Sequence, residues 1–166
     1  MPAPTEPNDF IHRKIIDCLN VAGVDYRTVH HAPTRTSEES AQARGESIKI
    51  GGKALLMKVG KEFRLFVISA ALKADNAAIR AHFNEKKSRF ASRDELFEMT
   101  GLVPGCVPPF GEPILPFPLY CDASIPANDK IAFNSGSLTD SVIMSMDDYL
   151  RIAQPEIIRF ADTSSD

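Results

Sequence analysis

Cysteine is scarce in this chain and oddly spread: Cys18, Cys106 and Cys121 are the three among 166 residues. An odd, widely spaced set excludes a disulfide framework and points to free thiols in a reducing compartment, so a cytoplasmic location is expected. Histidine is nearly as sparse, with His12, His30, His31 and His82, and no CxxC or HExxH spacing joins the two residue types. Adjacent His30 and His31 point to opposite faces of a strand and cannot readily share one ion. No metal and no cofactor is therefore expected. No run approaches the roughly 20 apolar residues of a membrane span, which argues against a membrane partner. The opening MPAPTEPNDF is proline-rich and acidic, unlike the basic-then-apolar start of a secretory signal.

Two catalytic signatures are also missing. GESIKIGGKA tempts the eye toward a phosphate loop, but Ile50 stands where a second glycine is needed after Gly45, and Ala54 replaces the magnesium-binding hydroxyl. NTP hydrolysis is excluded on that spacing. No G-x-S-x-G elbow and no Ser/Cys–His spacing accompanies Cys106, so covalent catalysis has little support and a small apolar role at a tight turn suits this thiol better.

What is present is an ordinary domain composition, 43% hydrophobic and 25% charged, in a length that suits one domain with a real core. The net charge of −3 gives no global nucleic-acid signature, and DNA is not an expected partner. The charge is uneven, however. Between Arg44 and Arg93 twelve lysines and arginines face only four acids, Glu46, Glu62, Asp75 and Glu85. Such a stretch either holds a phosphate backbone by counterion release or is solvated surface.

Along the chain, residues 1–9 read as a disordered segment, 10–160 as one domain and 161–166 as a tail. Phe10, Ile11, Ile15, Cys18 and Leu19 recur at helical spacing, with Gly23 as the stop. DYRTVH reads as a strand, and Thr36-Ser37-Glu38-Glu39 fits a capping box opening a helix. KALLMKV and FRLFVIS form a buried hairpin about Gly60-Lys61, and NAAIRAHF is helical. Ser92 to Glu95 repeats the capping box before a helix ending near Gly101. PLYCD, KIAFN and SVIMS read as strands, Ser145 caps a short helix ended by Pro155, and EIIRF adds an edge strand. Strands neither alternate strictly with helices nor segregate from them. The expected class is therefore mixed α+β (α/β), with a mixed, partly closed, barrel-like sheet surrounded by helices in a single domain.

The segment GLVPGCVPPFG, residues 101–111, places three glycines and three prolines in eleven positions. Glycine serves positive φ or close approach, and proline fixes φ and removes a donor. The loop is shaped and stiff, either as a connector between helix and strand or as a preorganised wall of a binding site. Lys53 opens an apolar strand just after a glycine pair. It either snorkels to solvent at the strand's edge or projects a fixed charge into a pocket.

Three segments, GGKALLMKV, GLVPGCVPPFG and IAFNSGSLTDSVIM, occur in the order and spacing of one family. With HAPTRTSEES and the ending DDYLRIAQPEIIRF, the chain resembles the YbaK/prolyl-tRNA-synthetase-associated (INS-like) editing domains, in their stand-alone, YeaK-type branch. The resemblance covers about Phe10 to Phe160. It implies an α/β fold around a small amino-acid pocket. It also implies hydrolysis of the ester joining a wrong small amino acid (Ala, Ser or Thr) to the terminal adenosine of tRNA. The partners so implied are the acceptor end of a mischarged tRNA and, further, an aminoacyl-tRNA synthetase. The family's functional lysine falls on Lys53, its G-x-x-x-P loop on Gly105 to Pro109, and its Asn-Ala-Gly turn on Asn134, Ser135 and Gly136. Lys53, Gly105 and Asn134 are thereby expected to be catalytic. Cys106, Val107, Pro108, Pro109, Phe110, Gly111, Ser135, Gly136 and His31 are expected to bind substrate. Ser135 departs from the commoner Ala and adds a hydroxyl if it faces the pocket.

Ester hydrolysis needs a positioned water, donors for the developing oxyanion and exclusion of larger substrates. Main-chain N–H groups of a Gly/Pro loop supply such donors, and no side-chain general base is evident. The alternatives are a non-catalytic module that holds tRNA or a synthetase with the same surface, and a hydrolase of small esters unrelated to tRNA.

Overall fold

The computed structural model describes residues 6–34 and 36–162. The first helix, α1 (Glu6–Ala22), buries Ile11, Ile15 and Leu19, which recur every four residues on one face, and Gly23 at φ +69° ends it. It begins at Glu6, four residues earlier than Phe10, so residues 6–9 of the expected disordered segment are helical, and residues 1–5 lie outside the described residues.

Strand β1 (Tyr26–His30) leads to α2 (Ser37–Arg44), where the Thr36 side chain accepts the Glu39 N–H and Gly45 closes the other end at φ +70°. A single 3-10 turn, Ile48–Ile50, precedes the hairpin of β2 (Gly52–Val59) and β3 (Glu62–Ser69). Then come α3 (Asn76–Phe83), β4 (Ser88–Phe90) and α4 (Arg93–Thr100), the last with a reciprocal capping box between Ser92 and Glu95. The remaining elements are β5 (Leu119–Asp122), β6 (Lys130–Asn134), β7 (Asp140–Ser145), α5 (Met146–Ala153) and β8 (Glu156–Ile158).

The mixed α+β class holds, but no closed barrel forms. The strands divide into an antiparallel sheet of order β1-β7-β6 and a mixed sheet of order β4-β2-β3-β5-β8, with β5 parallel to both β3 and β8. The two sheets meet at the isolated parallel bridge between Gly51 and Ala132. Strand β3 runs centrally and is buried on both sides. Leu65 and Val67 join the larger core with β6, β7 and α1, whereas Phe66 and Ile68 pack with Ile79, Tyr120 and Phe160 on the opposite face. Of the tail expected from 161, Ala161 bridges Ala74 and the Asp162 N–H donates to the Lys73 carbonyl, and residues 163–166 lie outside the described residues.

Candidate active site

The start of β2 is drawn tightly against its neighbours, and this explains its glycine pair. A Cβ on Gly52 would lie 2.6 Å from Ile131 Cδ1, and one on Gly51 would lie 2.8 Å from the Ala70 Cβ. Only glycine lets β2 enter the seam between the sheets at this closeness. Lys53 follows at once, half-buried, with Nζ donating to the Leu72 carbonyl at 3.0 Å. Burial, and after it the charge of Lys73, pulls its pKa down, with Glu38 opposing.

Lys53 opens onto a cavity of about 250 Å³, compact beside the roughly 300–1,000 Å³ typical of ligand pockets. Ser37, Ser40, Ala41 and Arg44 line it from one face of α2, at the i, i+3, i+4, i+7 spacing of a helical stripe. That stripe is hydroxyl, hydroxyl, methyl and guanidinium instead of the usual aliphatic run. Among the described residues no carboxylate lines the cavity. The Thr34 and Ser40 hydroxyls, both buried, bond each other at 2.7 Å at its edge.

The proline- and glycine-rich loop enters this cavity at only one end. Gly101 caps α4 at φ +74°. Val103 to Cys106 then form a tight turn, with the Cys106 N–H donating to the Val103 carbonyl at 3.1 Å, Pro104 second and Gly105 third at φ +92°. Proline followed by a positive-φ glycine is the signature of a type II turn. Gly105 and Val107 face the cavity. Cys106 is buried in the main core, which pushes its thiol up to about 11 and leaves it a poor nucleophile. Pro108, Pro109, Phe110 and Gly111 lie behind the wall. The Pro109 carbonyl accepts the Tyr149 hydroxyl, and Phe110 stacks edge-on against Phe133 and Tyr149. A Cβ on Gly111 would meet the Phe117 carbonyl at 2.6 Å. These four residues anchor the loop and do not line the cavity.

Asn134, the last residue of β6, reaches the cavity and donates from Nδ2 to the Gly105 carbonyl at 2.7 Å. Ser135 and Gly136 turn the other way. The Ser135 hydroxyl meets His12 Nδ1 at 2.9 Å, and Gly136, at φ +70°, lies under Ile11 of α1. The extra hydroxyl of Ser135 is thus spent on α1 and not on the cavity. His31 stands one layer back, with Nδ1 donating to the Ala32 carbonyl and Nε2 2.9 Å from Ser141 Oγ.

Of the twelve residues the sequence singles out, the structure brings four to the cavity: Lys53, Gly105, Val107 and Asn134. Sequence reasoning overlooked Thr34, Ser40 and above all Arg44, which it counted only within the basic stretch. The available signal was the polar stripe of α2, legible as S-x-x-S-A-x-x-R once the helix is assigned.

The sequence profile described as the aminoacyl-tRNA editing domain matches residues 31–152, which include every cavity-lining residue. The chain is 36% identical, over 161 residues, to the multifunctional Ser/Thr-tRNA deacylase ProXp-y of Escherichia coli strain K12, covering 92% of this chain and 94% of that one. Two solved structures share the fold at low identity. One is described as a candidate trans-editing enzyme for prolyl-tRNA synthetase, with a TM-score of 0.79 and 24% identity over 91% of this chain and 96% of that one. The other is a scaffold for presenting linear epitopes, with a TM-score of 0.80 and 22% identity over 91% and 97%. In sequence along most of its length, and in fold, this chain belongs to the aminoacyl-tRNA editing domain family.

Proposed function

We propose that this chain is a trans-acting deacylase that hydrolyses the ester joining a small amino acid, alanine, serine or threonine, to the terminal adenosine of a mischarged tRNA. The observation that carries the reading is the cavity itself. It is compact, free of lining carboxylates among the described residues, and framed by Lys53, Arg44, Asn134 and the Gly105 turn in a chain of the editing-domain family. The 36% identical relative, a Ser/Thr-tRNA deacylase, supports the same reading.

In hydrolysis a water oxygen adds to the ester carbonyl carbon, charge builds on the carbonyl oxygen, and the carbon–ribose oxygen bond breaks. The ribose oxygen leaves with a proton that the water supplied. Donors fixed before the reaction stabilise that developing charge at the smallest reorganisation cost. Asn134 Nδ2 carries a second hydrogen with no protein partner among the described residues, and it is the side-chain donor at the cavity suited to this role. Lys53 supplies positive charge for the oxyanion or for the terminal phosphate. The compact volume rejects larger side chains by sterics, whereas a missing methylene costs a binder only roughly 1–3 kcal/mol. A small-residue sieve follows from that asymmetry.

The test is a panel of Ala-, Ser-, Thr- and Cys-charged tRNAs, scored for release of free amino acid, with Lys53→Ala as control. Release from at least one, lost in the variant, is the expected result. Salt-sensitive tRNA binding with the ester left intact identifies a non-catalytic module instead. Turnover of simple amino-acid esters at equal rate identifies a small-ester hydrolase.

A further inference from the structure

Arg44 is the last residue of α2, 8% exposed, and its guanidinium reaches across the cavity wall to the other sheet. Nε donates to Ser141 Oγ at 3.0 Å and Nη2 to Asn134 Oδ1 at 3.1 Å. Burial alone pulls this group down to about 10, with no opposing contribution from a carboxylate. A buried cation is normally retained against a paired acid, because its desolvation is expensive. Here its partners are a hydroxyl and an amide, so the charge is spent on orienting dipoles.

The amide it holds has one permitted orientation. Arginine offers only donors, and a main-chain carbonyl only accepts. Asn134 sits between the two: Oδ1 receives Arg44 and the Ser141 hydroxyl (3.2 Å), and Nδ2 donates to the Gly105 carbonyl. Turning the amide over would set its NH2 against a guanidinium and its oxygen against a carbonyl. Arg44 thus decides where the Asn134 donor stands, and through Asn134 it ties down the Gly105 turn. Lysine cannot substitute, since one ammonium on a flexible stem does not reproduce a planar fork that meets two acceptors at once.

We infer that Arg44 is a positioning residue for the hydrolysis, locking the Asn134 amide with Nδ2 toward Gly105 and the cavity. The inference rests on the deacylase reading above, and its test separates the two. Steady-state deacylation is compared for wild type, Arg44→Lys, Asn134→Ala and the double variant. Side-chain amide resonances of Asn134 are followed in 15N-labelled full-length protein. The expected result is a kcat about 10- to 100-fold lower in Arg44→Lys with KM changed by less than about 3-fold, and a double variant little worse than Asn134→Ala. The two Asn134 Nδ2 protons should be well separated and one protected from exchange in wild type, with both features lost in Arg44→Lys.

Ser141→Ala removes one of the two guanidinium anchors without touching a charge. It should give a smaller loss of the same kind if Arg44→Lys fails to fold. A wild-type kcat in Arg44→Lys, a rise confined to KM, multiplying single effects, or unchanged Asn134 resonances each overturn the inference. A KM effect alone would make Arg44 a direct substrate ligand. A wild type inactive on every tRNA removes the deacylase reading and Arg44's catalytic consequence with it, while the resonances still decide whether Arg44 holds the amide.

Discussion

Tyr149 on α5 donates its hydroxyl to the main-chain carbonyl of Pro109 at 2.6 Å, with both residues enclosed in the core. A helix near the C-terminus thereby pins the loop that forms one wall of the cavity. Removing the hydroxyl in Tyr149→Phe leaves a buried carbonyl without its donor, which costs about 1–3 kcal/mol. The expected outcome is a loss of that size in urea unfolding with an unchanged m-value. Deacylation should fall less than in cavity variants, because the Gly105 end of the loop has its own tether to Asn134.

Lys53 should be needed for turnover and not for folding. Lys53→Ala is expected to lower kcat/KM by about 10²- to 10³-fold, the range of a lost oxyanion-stabilising group, with far-UV circular dichroism unchanged. Its depressed pKa also sets a sign. Lys53 loses its proton at a lower pH than an exposed lysine near 10.4, so the enzymatic rate, after subtraction of spontaneous ester hydrolysis, should decline earlier on the alkaline side. Lys53→Arg should move that decline upward. On stability, the same depression is a penalty present in full below the folded-state pKa. It is relieved as pH rises through that value toward the unfolded one.

The Gly105 turn tests whether the loop acts through its main chain. Gly105→Ala forces a side chain into φ +92°, 3.2 Å from Leu138 Cδ2, and costs roughly 1–2 kcal/mol for the left-handed backbone. Activity should fall with it. Cys106→Ala removes a buried sulfur far from ionisation and should cost stability on the order of 1 kcal/mol with turnover largely kept. Side-by-side deacylation assays check the ranking, and the reverse order counts against a main-chain role.

Much of this was legible beforehand because it depends on local chemistry. Capping residues at Thr36, Ser92 and Ser145, the glycine stops at 23 and 101, and the continuous apolar runs of β2 and β3 are statements a chain makes within a few residues. Strand β4, three residues without alternation, makes no such statement and is a strand only because β2 offers it an edge. The division into two sheets was hidden for the same reason: it turns on the close approach of Gly52 to Ile131, seventy-nine positions away. At the site, the resemblance placed Lys53, Gly105 and Asn134 together, and they do share the cavity. The same motif could not separate the face of the loop that lines the cavity from the face that fills the core. Cys106, Phe110 and Ser135 therefore read as binding residues although their side chains pack elsewhere.

The basic stretch has a definite place. Lys58 lies opposite Arg89 in the β2–β4 register, with exposed Lys61, Lys86 and Lys87 around the hairpin's tip. Six strand residues, about 20 Å, separate the tip end of β2 from Lys53. Arg89 is engaged by Glu95, so the three exposed lysines are the natural reach toward a phosphate backbone. Replacing all three by glutamine should weaken tRNA binding and reduce the slope of log affinity against log salt by up to about 1 per lysine, with deacylation of saturating tRNA retained. Filter binding across a salt series measures this. An unchanged slope makes the lysines ordinary solvated charge.

Helix α2 meets the cavity with two serines, an alanine and Arg44, and Ala41 is its one apolar side chain in the core. Ser37 and Ala41 therefore carry little of the fold's stability, whereas Arg44 and the buried Ser40–Thr34 hydrogen bond tie the helix to its surroundings. Within such a division of labour, lineages can trade one edited amino acid for another by exchanging Ser37 or Ala41 for larger or smaller neighbours. The hydrolytic apparatus then stays in place, and new selectivity arises at small thermodynamic risk.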